Sequence, residues 1–133
     1  MSEVALHVSS TFDYEDAAGF EATGQVTDKA ITIYATDLRC FKGKQLIGYG
    51  GGSTREALAQ GEVTIPGCCW FKNLHATAAI RLYNASSSGV QFMLILPGEG
   101  WSFRIGDDIT QIYARSDDST GTGCLLEYIL CSI

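Results

Sequence analysis

The chain has only two prolines and two histidines in 133 residues, and charged residues make up just 18 % of it. Each shortage excludes something. Two histidines are too few for cupin-type metal chemistry, which draws on several imidazoles. The five cysteines stand at positions 40, 68, 69, 124 and 131 and include no Cys-x-x-Cys pair, so no structural zinc site is expected. No apolar run approaches the roughly 18 residues that a membrane-spanning helix requires. A net charge of −6 argues against direct binding of DNA or RNA, because a nucleic-acid binder uses a basic face to displace counterions from phosphate. Low charge with 46 % hydrophobic residues also excludes a disordered chain. The start, Met1-Ser2-Glu3, carries no basic region and no apolar run, which predicts synthesis in a reducing cytoplasm with free, mostly buried thiols.

What is present reads as strands. Fifteen glycines fit many tight turns. Short runs rich in β-branched, aromatic or leucine residues recur between Gly, Asn, Ser and Asp. In the C-terminal half these are 67–74, 79–83, 90–96, 101–105, 111–115 and 124–131, read as successive antiparallel strands of a meander or part of a sandwich. Pro97-Gly98-Glu99 is a tight turn between two of them, with Glu99 and Arg104 placed to pair across it. In the N-terminal part, residues 3–10, 19–26, 30–35 and 45–49 have strand patterns, with turns expected at 12–16 and 28–29. Ser53-Thr54-Arg55-Glu56 resembles a capping box ahead of Ala57-Leu58-Ala59-Gln60, which predicts one short helix over 54–60. The expected fold is therefore all-β, an antiparallel sandwich or jelly roll with that one helix, in a single domain spanning 1–133. Ile31, Ile33, Leu94, Leu96, Trp101, Phe103, Leu126, Tyr128 and Leu130 are expected in its core.

Residues that could carry chemistry fall mostly to structural roles. Cys68 and Cys69 precede Trp70-Phe71 as a strand entering the core, where thiols are inert. His7 and His75 accompany no nucleophile turn. The adjacent carboxylates Glu15-Asp16, Asp107-Asp108 and Asp117-Asp118 sit in turn regions without calcium-loop spacing. Gly50-Gly51-Gly52-Ser53 lacks the lysine and spacing of a phosphate loop. No catalytic residue, cofactor or metal ligand is expected. Arg39, Lys42 and Lys44 form the one local concentration of basic residues. With Gly51, Ser53 and Arg55 they are the candidate partner-binding residues.

The run Gly67-Cys-Cys-Trp-Phe-Lys-Asn-Leu74, then Leu94-x-Leu-Pro-Gly-Glu99, Phe103-Arg104, Ile112-Tyr113-Ala114 and the closing Leu125-x-x-Tyr128-x-Ile-Leu130 resembles small structural proteins of tailed bacteriophages. The likeness covers roughly residues 45–133. It implies a β-sandwich or jelly-roll virion protein without catalytic residues, made in the bacterial cytoplasm. Capsid decoration, in which the protein cements capsomers, is the favoured role. A neck or tail component and a carbohydrate-binding module of a tail fibre stand as alternatives, with a small jelly-roll enzyme third. The expected partners are the major capsid protein or other virion proteins and further copies of the chain, most simply in a trimer matching three-fold capsid sites. Neither nucleic acid nor membrane is expected as a direct partner.

Overall fold

The computed structural model describes residues 2–15, 17–19, 21–35, 39–49 and 55–132. By its internal contacts the chain divides into two compact units, Met1–Asp37 and Leu38–Ile133.

The first unit is one long hairpin. β1 (Ser2–Glu15) pairs antiparallel with β2 (Glu21–Ala35), from Ser2 opposite Ala35 to Glu15 opposite Glu21, with one register irregularity between Val8 and Ser10. The turns expected at 12–16 and 28–29 are not where the chain reverses. Phe12 to Glu15 stay in β1, and Lys29 pairs with Val8 inside β2. The reversal falls after Glu15, where Gly19 adopts a positive φ of 84° that favours glycine. Period-two alternation continues through residues 12–15, and at the other site the register irregularity sets Thr27 and Asp28 against Ser9, which interrupts the ladder without reversing the chain. The side chains of His7, Ile31 and Ile33 lie outside the described residues.

The second unit is built from β3 (Cys40–Ile47), β4 (Glu56–Ala57), β5 (Pro66–Asn73), β6 (Ile80–Tyr83), β7 (Gln91–Ile95), β8 (Gly100–Arg104), β9 (Tyr113–Ser116) and β10 (Cys124–Ser132). They form two antiparallel four-stranded sheets, ordered β3-β10-β5-β8 and β4-β9-β6-β7. This is no meander. Only β6 and β7 are both consecutive and paired, while β10 inserts between β3 and β5. The strand pattern was legible, but nothing local specifies which strand a run will pair with.

One core lies between the inward faces. Ile47, Phe71, Leu126, Tyr128 and Leu130 of the first sheet join Ile80, Leu82, Ile95 and Ala114 of the second in a single buried cluster. An aromatic row crosses it. Ring centroids of Phe41 and Tyr128 lie 5.8 Å apart, Tyr128 and Phe71 6.2 Å, Phe71 and Phe103 5.7 Å, and Phe103 and Phe92 6.3 Å, so the row ends on the opposite sheet. Leu126, Tyr128 and Leu130 are buried as expected, and Phe103 packs against the cluster. Leu94, Leu96 and Trp101 are not buried. Leu94 is opposite Arg81 on the outer face, Leu96 begins the turn after β7, and Trp101 is at the start of the edge strand β8.

The expected helix over 54–60 is corrected for its described part, 55–60, which contains none; Thr54 lies outside the described residues. Glu56 and Ala57 form β4 against β9 instead. The Leu58 amide donates to the Ile112 carbonyl at 2.9 Å, the Ala59 amide donates to Gln45 Oε1 at 2.9 Å, and Gln111 donates to the Leu58 carbonyl at 2.8 Å. A seven-residue helix is marginal on its own, so burying Leu58 and these tertiary bonds outweighs the local capping signal.

Cys40 and Cys131 stand opposite each other on β3 and β10 and form a disulfide, which corrects the expectation that both are free thiols. Direct opposition in the ladder holds their Cα atoms 4.1 Å apart, a placement that sequence spacing does not reveal. Cys68, Cys69 and Cys124 are free and buried, as expected.

Candidate docking surface

Directly opposed residues of a ladder share a side of the sheet. The registers of β3, β10, β5 and β8 therefore assign the outer face row by row. One row reads Lys42, Ile129, Trp70, Ser102, and the next reads Lys44, Glu127, Lys72, Gly100. Arg104 stands outward in the row of Cys131 and Cys68. At the far end Leu46 is opposite Leu125, and the Leu74 amide donates to the Leu125 carbonyl at 2.9 Å. These three leucines are 60 %, 37 % and 40 % exposed. Gly123 closes this end, with φ of 77° and no room for a side chain between the Ile47 carbonyl and Leu46.

The face is thus an apolar leucine edge behind a band of cations. Lys42, Lys44, Lys72 and Arg104 outnumber the single carboxylate of Glu127 by three charges. Glu127 is engaged by Lys44 at 3.4 Å. Exposed apolar area beside charge is what a protein contact draws on.

The candidate residues separate. Lys42 and Lys44 belong to this face. Arg39 precedes β3 and pairs with Glu62 at 3.4 Å, and its backbone is bonded to Ser132. Arg55 leads into β4 of the other sheet. Its guanidinium sits 3.6 Å from the centre of the Tyr83 ring, and Nη1 donates to the Ala85 and Gly89 carbonyls, both at 3.1 Å. Its role in the fold is to hold the 84–89 loop. Gly51 and Ser53 lie outside the described residues. Sequence reading missed Lys72 and Arg104, because they reach Lys42 and Lys44 only through the sheet register. Alternation within each strand was the available signal; strand order was the missing information.

Several of the described groups that chemistry could draw on are bonded within the fold. His75 Nδ1 accepts from the amides of Thr77 and Ala78 at 3.1 and 2.9 Å, leaving Nε2 toward Asp118 at 3.9 Å. Burial, with Cys68 adjacent, pushes the Cys69 thiol up to about 12, and burial also raises Cys124. Asp118 is not the solvated turn residue expected. It is buried, accepting from Thr120 Oγ1 at 2.6 Å and Thr122 Oγ1 at 2.7 Å, and those bonds lower its pKa to about 2. Asp117 is bound by Arg81, whose Nε donates to both carboxylate oxygens at 3.0 Å.

Two of the motif segments meet. Asn73, fully buried, donates to the Ala78 and Ile95 carbonyls at 2.9 and 3.1 Å and accepts from the His75 amide at 2.9 Å. Its backbone bonds Gly98 and Glu99 of the Pro97-Gly98-Glu99 turn. Gly98 has φ of 78°, as a turn with proline first and glycine second requires. Glu99 does not pair with Arg104 across that turn. Its Oε2 accepts instead from the Leu96 amide at 2.9 Å and from Trp101 Nε1 at 3.4 Å.

Comparison with protein-family models, with curated proteins and with solved structures finds no match.

Proposed function

We propose that this chain is a non-enzymatic assembly protein of a tailed-phage virion, a β-sandwich that decorates the capsid and stabilises it. The observation that carries the reading is the outer face of the β3-β10-β5-β8 sheet, where an exposed leucine edge lies behind Lys42, Lys44, Lys72 and Arg104. Such a face offers contact area and charge complementarity. The resemblance to phage structural proteins supplies the setting, and its Asn73 and Pro97–Glu99 segments are bonded to each other as one rigid corner. His75 and the buried thiols, already committed within the fold, favour a scaffold over a reaction centre. A cement protein acts by mass action, since it binds the assembled shell and not its separate parts.

Particles lacking the protein test this. They should assemble but break at lower temperature or milder osmotic shock than wild type, and added protein should restore them. Particles equally resistant without it would refute decoration. Particles without tails, or leaking DNA at the vertex, would move the protein to the neck or tail.

A further inference from the structure

The net charge of the chain is not spread over it. Residues 1–37 hold seven carboxylates against Lys29 alone, a net of −6, while residues 38–133 hold eight residues of each sign and are neutral. Within the hairpin the acid gathers at the tip, with Asp13, Glu15 and Glu21 in the last rungs and Asp16 between them in sequence. Glu15 is directly opposite Glu21. Like charges facing each other across a ladder destabilise it. Lys29, the one lysine or arginine of residues 1–37, stands opposite Val8 well down the ladder.

The strand pairing of the hairpin is a second observation. Among the described residues β1 and β2 pair only with each other. An isolated two-stranded hairpin is marginal in water, yet this one alternates Val4, Leu6 and Val8 along one strand.

We propose that the acidic tip of the hairpin in one copy docks on the lysine-bordered leucine face of a second copy, Lys44 and Lys72 meeting Glu15 and Glu21 beside Leu46 and Leu125. The inference rests on reading that face as an assembly contact and names its occupant. Tip and face are different patches, so the contact is head-to-tail and closes into a ring when the rotation allows.

Equal amounts of 14N- and 15N-labelled full-length protein, mixed and treated with a zero-length carboxylate–amine cross-linker, test the contact directly. Mixed-isotope peptides joining Glu15 or Glu21 to Lys44 or Lys72 are expected. Wild-type protein should sediment as an oligomer at micromolar concentration. Lys44→Gln with Lys72→Gln should weaken association at least tenfold at low salt, and so should Glu15→Gln with Glu21→Gln. Leu46→Ser, which alters no charge, should weaken it as well and controls for effects on net charge. A monomer at every concentration, or cross-links found only within one isotope, would overturn the proposal. Neither result would bear on whether particles lacking the protein are fragile, so the two readings fail separately.

Discussion

Asn73 shows how one side chain can hold a corner. Itself fully buried, it satisfies two carbonyls and one amide, and its backbone fixes the Pro97–Glu99 turn. Asn73→Ala would orphan those groups, each at about 1–3 kcal/mol. A loss of at least about 2 kcal/mol in denaturant unfolding is expected; an unchanged midpoint would refute the role. Asp118 makes a pH prediction. Its carboxylate is held at about 2, below the ordinary 3.8, by bonds from Thr120 and Thr122. A lowered folded-state pKa stabilises the fold above the unfolded value, and that contribution is lost as pH falls from about 4 toward 2. Asp118→Asn should therefore reduce stability at neutral pH and flatten the acid limb of a stability–pH curve, whereas an unaltered acid limb would contradict the assignment. Neither role was legible in the sequence. Asn73 read only as part of a motif, and Asp118 as one of a solvated pair, because the partners of each lie elsewhere in space.

At the level of elements, strands were readable wherever alternation and β-branched or aromatic content coincided, as in β5, β6, β7 and β10. Two kinds of error share a cause. The 55–60 segment has helix-forming residues, yet its backbone groups are taken by Gln45, Gln111 and β9. Leu94 and Leu126 look equally like core residues, yet register turns one outward and the other inward. Local pattern ranks segments, and tertiary pairing decides between them. Leu126→Ala should accordingly cost about 2–5 kcal/mol, while Leu94→Ala should stay within about 0.5 kcal/mol. Equal effects of the two would refute the register. The Cys40–Cys131 pair joins an edge strand to its neighbour. Intact-mass measurement should find the oxidised form, 2 Da below the fully reduced mass, and Cys40→Ser should lower stability by about 2–5 kcal/mol.

The molecule as a whole separates its charge, with an acidic hairpin and a neutral body that gathers cations on one sheet face. The acidic composition was plain from the sequence and set the expectation that nucleic acid is not a direct partner. It also hid the basic face, because Lys42, Lys44, Lys72 and Arg104 look scattered until β10 and β5 bring them into adjacent rows. The central claim is that this face is an assembly contact. Amine footprinting of intact particles against free dilute protein tests it most directly. The account predicts that Lys42, Lys44 and Lys72 are modified in the free chain and protected in the particle; lysines equally reactive in both states would contradict it.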